Sequence, residues 1–186
     1  MSITVPGHSA PGVGFEVPLE MLAACHGRVQ HQCETLLRLQ THLQGHGADR
    51  AAQEAARAVV RYFDSAARQH HADEELDLFP ALLESMAGSD AVCLRELTAS
   101  LSGDHRQLEQ RWAVLRPWLL AVSEGATATP VDAAATAADV AGFVQLYEQH
   151  IAREEAELLP MAARLLSAVE LDRIGLAMRA RRGLTL

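Results

Sequence analysis

The sequence predicts an all-α protein: an up-down-up-down antiparallel four-helix bundle with a short fifth helix at its C-terminal end. Three observations carry this expectation. The 186 residues are 49% hydrophobic but only 4% aromatic, rich in Ala and Leu and poor in β-branched side chains, a composition that favours helix over sheet. Apolar residues recur at helical spacing along four long stretches. The breaks between the stretches are only a few residues long, which makes successive helices antiparallel neighbours. A single domain with a substantial core accommodates this length.

The elements follow in order. Residues 1–16 hold three glycines and two prolines without periodicity and read as an irregular arm. The bundle spans residues 17–169. Its first helix starts at Pro18, a residue suited to a first turn, and stops at the Gly-His-Gly of residues 45–47. The second starts near Asp49 and ends near Ala87, before Gly88. Ser89 or Asp90 caps the third, which runs to about Glu124, and the fourth runs from about Pro130 to Val169. Residues 170–186 form the short fifth helix, around Leu171 to Arg181, and an arginine-rich tail read mainly as solvated charge and as a favourable partner for the helix C-terminus. Pro80, Pro117 and Pro160 fall inside helices and are expected to kink them, because each lacks an amide donor and crowds the carbonyl four residues earlier.

Charge and composition narrow the partners. The formal charge is -8, and the basic residues are all arginines, scattered rather than gathered into a stripe, so no nucleic-acid footprint is present. No run approaches the length of a membrane span, and the N-terminus lacks the basic and apolar regions of a signal peptide. The expectation is a soluble, cytoplasmic protein that binds neither nucleic acid nor membrane; its assembly state stays open, a homodimer included. Cys25, Cys33 and Cys93 show no C-x-x-C spacing and read as small buried side chains in a reducing compartment.

An internal repeat carries the chemistry. "HHADEELDLFP" from His70 lies without a gap over "HIAREEAELLP" from His150, matching His70 with His150, Glu74 with Glu154, Glu75 with Glu155 and Pro80 with Pro160. Upstream, "CHGRVQHQCETL" from Cys25 lies over "DHRQLEQRWAVL" from Asp104, matching His26 with His105. The spacing is 44 residues from His26 to His70 and 45 from His105 to His150. The chain therefore reads as two copies of one helical hairpin, each carrying a His and then a His-x-x-x-Glu.

These residues can meet. Measured from the inter-helix turns at about 1.5 Å per residue, His26, His70, His105 and His150 fall in one layer of the bundle. The i, i+4 spacing puts Glu74 on the face of His70 and Glu154 on the face of His150. Burying four imidazoles and two carboxylates bare costs several kcal/mol for each ion, and metal offsets that cost. Mixed nitrogen and oxygen donors without thiolate suit iron, manganese or zinc, and inward carboxylates on facing helices are how two-metal bundle sites are built. Iron is the metal chosen, with Glu74 and Glu154 best placed to bridge two ions.

His26, His70-x-x-x-Glu74, His105 and His150-x-x-x-Glu154, with "LFP" or "LLP" after the second and fourth motifs, resemble the hemerythrin-like, or HHE cation-binding, domain family over roughly residues 19–168. The resemblance implies a four-helix bundle with two iron ions, an oxo or hydroxo bridge, and binding or sensing of O2, NO, peroxide or iron; the alternative is a small redox enzyme reducing peroxide or another oxidant. Two departures count. Oxygen-carrying members have H-x-x-x-H on the third helix, where this chain has Glu109, and His and Asp five apart on the fourth, where it has His150 and Glu154. Anionic oxygen donors stabilise ferric iron, which disfavours reversible O2 transport.

Neighbouring residues take lesser parts. Glu109, one turn after His105, is either a seventh ligand or a solvated, ligand-supporting glutamate. His71 faces Ile151 in the second copy and so is read as flanking the layer, with Glu75 and Glu155 as partners for water, arginine or a ligating histidine. His31 points elsewhere on its helix, His8, His42 and His46 read as surface, and Phe79, Trp112, Trp118 and Phe143 read as core.

Overall fold

The computed structural model describes residues 14–85, 90–126 and 133–184. The arm at residues 1–13, the helix boundaries expected at Ala87 to Ser89 and at Pro130, and His8 lie outside them. Among the described residues there is helix and turn but no strand.

The first rod is α1 (Pro18–His46). The second joins α2 (Arg50–Asp64), α3 (Ala66–Asp73), a π turn (Glu74–Leu78) and α4 (Phe79–Ser85). The third is α5 (Asp90–Ser123), and the fourth joins α6 (Ala133–Arg153), a second π turn (Glu154–Leu158) and α7 (Leu159–Leu165). They close a ring of neighbours: α1 packs on α2 and α6, and α5 packs on the same two. Finally α8 (Ala168–Arg181) lies across α1 and α3.

Local chemistry sets the boundaries. Pro18 opens α1, and Gly47, at φ 64°, closes it with its N–H donating to the Leu43 carbonyl. Asp49 caps α2 by accepting from the Ala52 N–H at 2.9 Å. The second rod is not the single helix expected from Asp49 onwards. It breaks at Ser65, where the backbone leaves the helical region (φ -129°, ψ -78°) and the Ser65 hydroxyl donates to the Arg61 carbonyl. The fourth rod also stops earlier than Val169. Leu166 is extended, and Ser167 starts α8 with a capping box, its Oγ accepting from the Glu170 N–H while the Glu170 carboxylate accepts from the Ser167 N–H.

Two prolines act by widening the helix before them. A proline at position 80 offers no amide to the turn below. In its place the Phe79 N–H reaches five residues back to the Glu74 carbonyl, and the Leu159 N–H makes the same bond to Glu154. Both π turns begin at the repeat's glutamate. Pro117 differs: α5 runs through it without interruption.

The core comes in two apolar clusters. One holds Val29, Leu36, Val59, Phe63, Leu108, Trp112 and Phe143, and the other Leu22, Leu78, Leu82, Leu94, Leu101 and Leu158. On α1 they flank His26, and on α5 they flank His105, so the polar layer divides the core. Gly175 lets α8 dock, since a Cβ there would lie 2.0 Å from the Phe15 carbonyl oxygen. No described helix is long and apolar enough to cross a membrane.

Candidate metal centre

The six repeat histidines and glutamates converge. His26, His70, Glu74, His105, His150 and Glu154 are all buried, and both glutamates have no exposed surface. His26 Nε2 lies 3.1 Å from Glu154 Oε2, and His70 Nε2 lies 3.4 Å from Glu74 Oε1. On the other side His105 Nε2 is 3.3 Å from Glu74 Oε2, and His150 Nε2 is 3.1 Å from Glu154 Oε1. Each glutamate therefore offers one oxygen to a histidine of the first hairpin and the other to a histidine of the second. Two overlapping donor groups result, one of His26, His70, Glu74 and Glu154, the other of His105, His150, Glu74 and Glu154.

The donor tautomers are set from behind. Carboxylates only accept, so His26 Nδ1–H donates to Glu155 at 3.1 Å and His105 Nδ1–H donates to Glu75 at 2.7 Å. His150 Nδ1–H points at Asp104 Oδ2, 3.4 Å away, a carboxylate that also accepts from Arg153. Each such bond leaves the Nε2 lone pair facing the layer, the arrangement typical of metal-ligating imidazoles. Glu75 and Glu155 cross between hairpins to do this, as expected of partners for a ligating histidine.

What the layer lacks is hydrogen. All four oxygens of Glu74 and Glu154 are buried without a hydrogen-bond partner, as is His26 Nε2. Orphaned buried acceptors of this kind are costly, and buried polar groups in native proteins are nearly all satisfied. The directions in which burial and neighbouring charges push these groups reflect the strain. Burial, with the charge of Glu154 added, pushes Glu74 well above the usual carboxylate range. Burial opposes ionisation of Glu154 too, but the close imidazoles of His150 and His26 hold it well below. Burial pulls His70 down to about 3, and burial with the nearby His150 pulls His105 down. His26 goes the other way: burial lowers it, but Glu154 and Glu155 together raise it.

A cation resolves every one of these conflicts. At about 2.1 Å from each donor it sets neighbouring donors about 3.0 Å apart in an octahedron and about 3.4 Å in a tetrahedron, and the four histidine–glutamate contacts of 3.1, 3.4, 3.3 and 3.1 Å lie within that range. The residues present fit metal.

Other expected residues fall outside the layer. Glu109 is exposed and joins neither donor group. His31 and His46 are exposed, and His42 pairs with the cap residue Asp49 at 3.0 Å. Phe79 is buried with its ring parallel to His105, and Trp112 donates to Asp64 at 2.9 Å. Cys25 and Cys33 are buried, as expected, but Cys93 is exposed.

Two features go beyond the sequence reading. Asp104 and Arg153 support His150, and the only hint of this was that Asp104 lies over Cys25 in the repeat. Further, the C-terminal arginines are not solvated charge. Arg181 and Arg182 both donate to the fully buried Asp73, the residue before Glu74, and Arg181 also reaches Asp77 at 2.6 Å. The clamp ties α8 to the π turn that carries Glu74.

A helical fold around a buried histidine–glutamate layer suited to cations defines a metal-binding class of protein. The chain belongs to the hemerythrin HHE cation-binding domain family, whose model matches residues 17–162. It is also 36% identical over 166 residues, 89% of this chain and 90% of the relative, to an uncharacterized protein of Haemophilus influenzae.

Proposed function

We propose that the chain is a cytoplasmic non-haem di-iron protein that binds or senses O2 or a related small molecule such as NO or peroxide, or iron itself, on an antiparallel up-down four-helix bundle. The observation that carries this reading is the pair of glutamates, each with two orphaned oxygens, one turned to a histidine of each hairpin. That pattern asks for two cations bridged by carboxylate rather than one. His26 and His70 would hold one ion, His105 and His150 the other, with Glu74 and Glu154 shared. Two iron ions would supply redox-active Lewis acids for a diatomic ligand or a peroxide. The free cysteines fit a reducing compartment.

This chain's own residues would exclude water and set the ligand orientation. Apolar clusters seal the layer above and below, and Glu75, Glu155 and Asp104 fix three of the imidazoles.

Reduction of peroxide is the second reading. Tyr147, a buried phenol three residues before His150, favours it. It lines a cleft of about 200 Å³ between α1 and α6 and also a smaller pocket beside His71, a place from which a phenol can deliver an electron and a proton. The electrons would come from an external donor.

The test is an absorption spectrum of iron-loaded protein, taken without and then with air, together with metal analysis. About two iron ions per chain and an air-dependent charge-transfer band are expected. Less than about half an equivalent of transition metal after iron-replete expression sinks the reading. Stopped-flow mixing with peroxide separates binder from enzyme: a stoichiometric adduct marks the first, repeated turnover with a decaying intermediate the second.

A further inference from the structure

The first π turn is held differently from the second. Residues 73–77 read Asp-Glu-Glu-Leu-Asp, four carboxylates without a base, whereas residues 153–157, which the repeat lays over them, read Arg-Glu-Glu-Ala-Glu. The second turn has its own cation: Arg153 pairs with Asp104 on the neighbouring α5, so the bundle itself holds the start of that turn. The first has the fully buried Asp73 at that place and takes its cations from the far end of the chain.

These contacts grip the turn on both sides of Glu74. Arg181 donates through Nη1 to Asp73 and through Nη2 to Asp77, 2.6 Å away, so one planar guanidinium bridges from the residue before the π turn to its fourth residue. Arg182 donates to Asp73 Oδ2 at 2.6 Å and to the Met178 carbonyl at 2.8 Å, which ties the same carboxylate to the last turn of α8. Two guanidiniums against two carboxylates leave no net charge. What the clamp brings to the layer is therefore position rather than field.

The helix that carries the clamp is otherwise lightly held. Of the 14 residues of α8 only Ile174, Gly175 and Met178 are buried, and the extended Leu166 separates it from the fourth rod. An element with so few buried apolar contacts opens at a free-energy cost below that of global unfolding. When it opens, Arg181 and Arg182 leave Asp73 and Asp77, and the turn that begins at Glu74 loses its hold.

We propose that Arg181 and Arg182 are positioning residues of the metal centre, acting through Asp73 and Asp77 to hold the Glu74 turn, so that docking of α8 and occupancy of the layer are coupled. This rests on the metal-centre reading above and gives its sensing form an output. A cation held by Glu74 fixes the turn and favours the docked helix, and the docked helix favours the cation by the same factor.

Hydrogen–deuterium exchange of the full-length protein, apo and after saturation with cobalt(II), tests the coupling. In the wild type the α8 amides are expected to slow about ten- to a hundredfold on loading. In Arg181→Gln with Arg182→Gln, checked for folding by circular dichroism, α8 should exchange fast with or without metal, and cobalt should bind about ten- to a hundredfold more weakly with a shifted visible band. Arg173→Gln removes a charge from the same helix, but one paired with Glu84 outside the turn, and should bind cobalt as the wild type does. Wild-type α8 exchange that loading leaves within about threefold overturns the proposal, as does a folded double variant with wild-type affinity and spectrum. Equal weakening by Arg173→Gln would assign the effect to charge on α8 in general and contradict it. Wild-type protein that binds no cobalt refutes the two-metal reading itself, a result distinct from these.

Discussion

His70 and His150 occupy equivalent places in the two copies of the repeat, yet different groups stand behind them. His150 Nδ1 faces Asp104, which Arg153 pins in turn. His70 Nδ1 is buried with no partner, and the repeat puts Cys25 where the second copy has Asp104. Below the glutamates the contrast reverses. Asp73 beside Glu74 is buried under two arginines, Arg181 at the end of α8 and Arg182 just beyond it, whereas its counterpart beside Glu154 is Arg153, one-third exposed and paired with Asp104. The six layer residues thus match in the two halves, as do Glu155 and Glu75 behind His26 and His105, whereas the supports behind His70 and His150 have diverged. A metal imposes its geometry on the ligand atoms that touch it, while any arrangement that orients those ligands will serve behind them.

The sharpest attempt to break this comparison is Glu154→Ala, set against His26→Ala. Because Glu154 faces both histidine pairs, its loss should empty both positions, leaving less than about half an equivalent of iron, while the histidine variant keeps about one. Equal retention by the two variants would show that the glutamates are not shared.

Removal of the clamp comes next. Arg181→Ala with Arg182→Ala strands the Asp73 carboxylate without surface exposure, and breaking such a pair costs about 3–5 kcal/mol. Urea unfolding of the apoprotein should register it as a lower midpoint at unchanged slope. Arg153→Ala in the opposite half, removing a partly exposed partner, should cost no more than about 1 kcal/mol. Similar losses in the two halves would erase the asymmetry.

A smaller effect sharpens it. Asp104→Ala makes the rear of His150 as bare as that of His70, and metal affinity should fall about 10- to 100-fold without a change in stoichiometry. An unchanged affinity would make Asp104 a partner of Arg153 alone. The smallest effect concerns the thiols. Burial pushes Cys33 up to about 12, so it stays protonated and unreactive at pH 8. A thiol reagent should label only the exposed Cys93 in the native chain and all three cysteines after unfolding.

The six layer residues were legible in the sequence because a repeat reports equivalence. No single His-x-x-x-Glu distinguishes His70 from His71, but alignment with His150 and Glu154 did, and helix lengths placed the histidines at one level. Glu75 and Glu155 were legible for the same reason. The repeat sets His71 opposite Ile151 and leaves it flanking the layer; the fold adds that its ring stacks on His105, centroids 4.0 Å apart. The Asp73 clamp was hidden because its arginines lie more than a hundred residues away, on a helix whose docking depends on the missing side chain of Gly175. As for the π turns, the prolines were read as sites of bending, but the five-residue hydrogen bonds that start at Glu74 and Glu154 depend on how each helix absorbs the missing amide.

The most direct test of the shared-glutamate centre is iron quantitation with Mössbauer spectroscopy on the full chain reconstituted with ⁵⁷Fe(II) and exposed to air. The account predicts about two irons per chain in spin-coupled form, as carboxylate-bridged neighbours give. A single, magnetically isolated iron per folded chain would contradict it.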